Sequence, residues 1–158
     1  MRIGAAHLGL ALAASCAGAC AATPAKEAAS AAAEVEGVTL GVLADSAIPS
    51  GECGMVLWAL DDERPNAVFR YLVGKKADIV RGGARAELTR SSAEGAAGYG
   101  VSERQTFVDG AGLSLTVDAR FGLSFEGGSY LEKGVIIVET AEGWRTVVPV
   151  AGLAGCRP

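Results

Sequence analysis

Along residues 113–125 the chain alternates without a break. Leu113, Leu115, Val117, Ala119, Phe121, Leu123 and Phe125 are apolar, and every residue between them is polar or glycine. A helix would scatter these side chains around its circumference, whereas an extended strand sets them all on one face. The run is about twice the usual strand length of ~5–6 residues, so Gly122 is expected to mark a bend. Shorter runs of the same kind predict strands at 38–44, 54–60, 67–73, 78–81, 85–88, 100–108, 135–139 and 145–150.

The turns fit that pattern. Gly82-Gly83 joins 78–81 to 85–88, and both residues can take the positive φ of a tight type I′ hairpin. Ala141-Glu142-Gly143 supplies the turn of the last pair. Residues 61–66 (DDERPN) and 91–98 read as loops. No helical period follows Gly37. The prediction is one all-β domain over residues 37–158. It would be a small antiparallel β-barrel or a β-sandwich of about eight strands.

The segment ahead of that domain has a different character. Residues 1–21 (MRIGAAHLGLALAASCAGACA) hold one arginine, an apolar run and a stretch of small residues, the layout of an export signal peptide. The apolar part, 3–14, is shorter than the ~20 residues that span a bilayer. Residues 22–36 form an Ala-rich spacer with scattered charge and no apolar face. The expected location is therefore the periplasm or outer membrane.

Two modes of processing fit. In a lipoprotein the thiol of Cys20 or Cys16 takes the lipid, since small residues precede both. Ordinary cleavage after Ala21 would discard both cysteines. Counting thiols favours Cys20 over Cys16, because it leaves Cys53 and Cys156 as one clean pair. Alanine rather than aspartate follows either cysteine, which points a lipidated form to the outer membrane. A Cys53–Cys156 disulfide would suit an oxidising compartment and pin the C-terminus beside an early strand, as in a barrel whose first and last strands pair. The two thiols are not in a C-x-x-C arrangement, and without histidine they make a poor zinc set.

Loss of the signal removes His7, the only histidine. No Ser-His-Asp triad, Cys-His pair or histidine metal site can then be built. The expectation is a non-enzyme with no catalytic residue, no cofactor and no metal. The one enzymatic route left is a carboxylate pair acting on a glycan, drawn from Asp61, Asp62 and Glu63 or from Asp109 and Asp118. Ordinary solvated loop charge explains the first three equally well. Residues 95–100 (GAAGYG) are glycine-rich but lack a following Lys-Ser/Thr, so they read as a β-connection rather than a phosphate loop. A net charge of −4, with no basic aromatic patch or zinc spacing, excludes nucleic acid as a partner.

Charge is unevenly spread. Arg70, Lys75, Lys76, Arg81, Arg85 and Arg90 face only Asp78 and Glu87 within 70–90. Arg81 and Arg85, beside the Gly-Gly turn, would form a basic knob for an anionic glycan, lipid headgroup or acidic protein surface. Alternatively they are the charges that keep a hairpin edge from aggregating. Most of the aromatics (Trp58, Phe69, Tyr71, Phe107, Phe121, Phe125 and Trp144) fall in predicted strands and read as core, while Tyr99 and Tyr130 lie near loops and read as exposed contacts.

Residues 91–99 (SSAEGAAGY), followed by Thr106-Phe107, resemble a loop of the membrane-bound inhibitors of C-type lysozyme. Those are small exported β-barrel lipoproteins with a disulfide near the C-terminus, and a Ser-Ala-Ser-Gly-x-x-Tyr segment reaches into the lysozyme cleft. The similarity spans residues 91–107; Glu94 replaces a small polar residue, the tyrosine spacing differs, and nothing from Asp118 onward corresponds. The resemblance implies Ser91, Ser92 and Tyr99 as contacts and a secreted hydrolase as partner. The expected function is thus a non-enzymatic binding or structural domain of the cell envelope. The alternatives are a hydrolase inhibitor and a carboxylate-based glycan-acting enzyme.

Overall fold

The computed structural model describes residues 38–60 and 66–158. The expected signal peptide and spacer, Cys16, Cys20 and the loop carboxylates Asp61, Asp62 and Glu63 lie outside the described residues.

The described chain is all-β. Its strands are β1 (Leu40–Gly41), β2 (Cys53–Ala59), β3 (Ala67–Leu72), β4 (Ala77–Arg81), β5 (Ala84–Gly98), β6 (Val101–Val108), β7 (Ser114–Phe125), β8 (Gly128–Glu139) and β9 (Arg145–Cys156). Each strand from β2 to β9 pairs antiparallel with the next, and β9 returns to pair with β2. The result is a closed eight-stranded up-and-down barrel, with β1 added beside the end of β4. Closure leaves few free strand edges, the usual remedy for an antiparallel sheet.

The seam runs in register from Cys53 opposite Cys156 to Ala59 opposite Val150. A disulfide joins Cys53 to Cys156 across it, tying positions 103 residues apart. Side chains fill the interior. Phe107 lies 5.2 Å from Phe69 and 5.1 Å from Tyr71 between ring centroids, and Met55, Leu57, Ile79, Leu88, Leu115 and Ile136 pack around them. Offset and edge-on ring pairs of this kind add to the area they bury.

The outside of the wall is also covered on one side. Leu43 and Ile48, in the irregular segment after β1, pack on Val56, Ala67 and Leu72. That strap explains why all six residues of β3 are buried: the core covers one face and the strap the other. It leaves only Leu40 and Gly41 of the predicted 38–44 strand hydrogen-bonded as a strand.

Further boundaries differ from the sequence expectation, each for a local reason; β9, expected over 145–150, runs on to Cys156 because its second half pairs with β2 across the seam. Residues 91–98 are not a loop but the second half of β5. Beyond Leu88, which pairs with Ala77 at the start of β4, β5 pairs only with β6. It therefore faces no core and carries no apolar alternation. Bulges between Arg90 and Ser92 and between Glu94 and Ala97 bend this hairpin, the second with Gly95 at φ 81°.

β7 is continuous, yet its register slips between Phe121 and Ser124, where Gly122 was expected to bend it. The extra residue re-phases the strand. Leu113 to Ala119 point inward, but Leu123 is 76% exposed, so the seven apolar positions do not share one face. Ser129 Oγ, buried opposite, lies 3.2 and 3.3 Å from the carbonyls of Gly122 and Leu123 at the slip. β8 begins at Gly128 rather than 135, because a bulge at Lys133 (φ 50°) interrupts the period that would reveal it.

Two rims result. The upper rim carries the β3–β4 turn, the β5–β6 tip, the β7–β8 turn and the disulfide. The lower rim carries the β4–β5, β6–β7 and β8–β9 turns.

Candidate functional site

The cationic stretch is largely neutralised. Asp78 on β4 sits opposite Arg70 on β3 and Glu87 on β5. Its carboxylate accepts from Arg70 Nε and Nη2 at 3.0 and 2.8 Å and from Arg85 Nε at 3.0 Å. Arg70 is buried under the strap and also donates to the Ala47 carbonyl at 3.1 Å. Burial alone would raise the Asp78 pKa. Hydrogen bonds from Arg85 and Arg70, with both positive charges, outweigh it and hold the carboxyl below its ordinary value.

Lys75 pairs with Glu52 at 2.6 Å and Lys76 with Glu87 at 3.1 Å. Arg81 Nη1 lies 4.0 Å from Asp109 Oδ2. The Gly82-Gly83 turn has φ 56° and 78°, as its composition predicts. However, Arg81 and Arg85 do not form one basic knob. Arg85 turns back along the wall to Asp78, and Arg81 turns to the lower rim.

At the upper rim, Arg90 braces the β5–β6 hairpin. Its Nη1 donates to Gln105 Oε1 at 3.1 Å and to the Gly100 carbonyl at 3.2 Å, and its guanidinium lies 5.2 Å from the Tyr71 ring centroid. Gln105, wholly buried in the barrel, is further satisfied by donating to the Ser102 carbonyl at 3.1 Å. Ser91 and Ser92 lie exposed on β5, where Ser91 donates to the Thr106 carbonyl at 3.1 Å. Tyr99 forms the tip with φ 55° and packs, half-buried, against the core rather than standing free. Tyr130 is 53% exposed, as its position suggested, with its ring 5.2 Å from Phe125.

Of the carboxylates singled out for glycan chemistry, the two among the described residues are engaged elsewhere. Asp109 accepts from the Ala111 and Leu113 amides at 2.7 and 3.0 Å and shapes the β6–β7 turn. Asp118 pairs with Arg104 at 2.9 Å. Among the described residues, no three His, Cys, Asp or Glu side chains converge as metal ligands.

The lower rim holds a cavity of about 430 Å³, lined by Val38, Thr39, Arg81, Thr140, Glu142 and Trp144. The β8–β9 turn builds one side. Thr140 N donates to the Trp144 carbonyl and Gly143 N to the Thr140 carbonyl, both at 3.0 Å. This turn projects the Trp144 indole, 52% exposed, instead of placing it in a strand. Thr140 Oγ1 is buried with no partner in hydrogen-bonding alignment. It nevertheless lies close enough to Glu142 to hold that carboxylate below its ordinary pKa, helped by the residue's own amide and the charge of Arg81. A second depression of about 230 Å³ shares Val38 and Thr39 with the first and runs along Thr146 to Pro149 on β9.

Sequence reasoning reached Arg81 but missed Thr140, Glu142 and Trp144. The available signal was a tryptophan directly after a turn glycine, where a core aromatic has no strand to bury it. A separate apolar groove of about 400 Å³ lies on the outer wall between the strap, Val56, Trp58, Leu153 and Phe125.

The class defined by fold and site is a disulfide-closed eight-stranded antiparallel barrel with a filled interior and an open lower rim. No protein-family model, curated protein or solved structure matches the chain.

Proposed function

We propose that this protein is an exported domain of the cell envelope that binds rather than catalyses, and that it does so at the lower rim. The observation that carries the reading is the cavity bordered by Trp144, Arg81, Glu142 and Thr140. An indole beside a few convergent polar groups is the ordinary composition of a binding pocket. Support for a non-catalytic role comes from Asp78, Asp109 and Asp118, each held by arginines or turn amides. Export fits the Cys53–Cys156 disulfide, which persists in oxidising compartments. Residues 1–21 supply the signal, with Cys20 ahead of Cys16 as the site of lipidation.

The test is fractionation of cells expressing the full chain, followed by rebinding of the purified processed protein to washed envelopes. Saturable retention on the envelopes is expected. A protein confined to the cytosol, or one that turns over envelope glycans, would overturn the reading.

A second reading, inhibition of a secreted hydrolase, draws on the β5–β6 hairpin. Its residues 91–97 are exposed on a two-stranded extension beyond β4, a shape able to enter a cleft. Near-stoichiometric suppression of C-type lysozyme is its signature, and full muramidase activity in the presence of excess protein removes it.

A further inference from the structure

We infer that the lower-rim cavity is a site for a neutral saccharide, stacked on Trp144 and hydrogen-bonded by Arg81 and Glu142. This rests on the binding reading above and specifies its ligand. The charge balance comes first. Arg81 is the guanidinium lining the cavity, and Asp109 lies 4.0 Å from it while Glu142 lines the cavity beside it. Two carboxylates around one guanidinium leave the rim slightly negative. A phosphate or uronate would meet repulsion, so an anionic ligand is disfavoured. A cation would meet Arg81 itself.

Hydroxyl groups suit this arrangement better than ions. A sugar hydroxyl both donates and accepts, so one ligand can donate to Glu142 and accept from Arg81. The indole offers the remaining need of a sugar, a flat apolar surface for the C–H face of a pyranose ring, and with 52% of its surface exposed it is free to do so. Stacking and hydroxyl pairing together select a ring that is apolar on its face and polar at its edge.

The site is also elongated. The adjoining depression continues past Val38 and Thr39 along the β9 edge, lined by Val42, Val68, Val147 and Pro149. This mostly apolar extension would accept a second ring, so an oligosaccharide is favoured over a single sugar.

The experiment titrates isotope-labelled, full-length processed protein with cellotetraose and chitotetraose, both neutral, and with trigalacturonate as the anionic counterpart. Backbone shifts are read by NMR. Saturable shifts at residues 38–39, 81–82 and 140–144 with a neutral tetrasaccharide are expected, with weaker or no response to trigalacturonate. Trp144→Ala should weaken binding about tenfold, the scale of a lost aromatic stacking surface. Trp144→Phe should keep part of it, and Phe125→Ala on the outer wall should leave it unchanged. Three results would overturn the inference: no shifts with either neutral sugar at millimolar concentration, stronger binding of trigalacturonate, or shifts confined to the outer groove. If envelope retention survives while neutral sugars bind nowhere, the saccharide assignment fails and the binding reading stands.

Discussion

The two rims of this barrel are made from the same kinds of residue and are finished differently. At the upper rim a long arginine, Arg90, turns inward and meets an aromatic face, an amide oxygen and a carbonyl, and it leaves Gln105 fully hydrogen-bonded. The disulfide closes the seam at the same end. At the lower rim Arg81 reaches only a 4.0 Å contact with Asp109, Trp144 stays half in solvent and Glu142 stands exposed. One end has its long polar side chains tied into the barrel; the other leaves an indole, a guanidinium and a carboxylate largely in solvent, which is the contrast the proposed binding site draws on.

The largest effect that would sharpen this contrast lies at the seam. Replacing Cys53 and Cys156 together by serine releases a loop of about a hundred residues, for which chain entropy predicts a loss of ~4–5 kcal/mol. Urea unfolding should show that loss as a lower midpoint. A change under 1 kcal/mol would mean that the paired strands alone hold the upper end, since ordinary surface changes stay within ~0.5 kcal/mol.

Next comes Asp78. Its substitution by asparagine leaves Arg70 buried with only the Ala47 carbonyl and a 3.8 Å contact to exposed Asp45. Breaking a buried pair in this way costs about 3 kcal/mol. The same group sets an acid limit. Its folded pKa is below the unfolded value, so its contribution is complete above the unfolded pKa of ~3.9. That contribution falls away as the pH drops from there through the lower folded value, because the unfolded chain binds the proton more tightly. Thermal melts from pH 6 downward should steepen below about pH 4 in the native protein and flatten in Asp78→Asn. Glu142, lowered in the same direction but fully exposed, should add nothing measurable to that slope.

How much of this was legible before folding follows the same division. Strands with a core to face wrote themselves into the sequence: Leu113 to Ala119 alternate because each apolar side chain enters the barrel. The Gly82-Gly83 turn and the Cys53–Cys156 pairing were legible for similar reasons, one residue type serving one geometry. The outer half of β5 was not. Residues 91–97 pair only with β6 and stay exposed, so no apolar face has to recur along them. The bulges at Gly122 and Lys133 likewise hid the outward turn of Leu123 and the start of β8. The lower-rim cavity was least visible. Arg81 and Trp144 are 63 positions apart in the chain, and only barrel closure brings the β4–β5 and β8–β9 turns to one end.

A smaller effect is expected at the hairpin brace. Arg90→Ala removes the donor to Gln105 Oε1 and leaves a buried amide oxygen unpaired, a loss of about 2 kcal/mol. Because Arg90 also holds the Gly100 carbonyl, amide exchange should accelerate at 95–101 more than in the barrel wall. Uniform acceleration across the barrel would show that the hairpin has no separate hold on its own tip.

The smallest effect is the one on which the contrast between the rims depends most. Trp144→Ala and Glu142→Gln alter exposed side chains, so both should stay within ~0.5 kcal/mol of the parent in denaturant melts. Thr140→Val goes further, replacing a buried hydroxyl that meets only the exposed Glu142 carboxylate by a methyl of like shape, and should cost about 1 kcal/mol or less. A loss well above about 1 kcal/mol for Thr140→Val would mean that its hydroxyl is held inside the protein more firmly than an exposed carboxylate can hold it. The lower rim would then be scaffold like the upper one. Retained stability in all three, set against the losses at Cys53, Asp78 and Arg90, is what an end kept incomplete for a ligand requires.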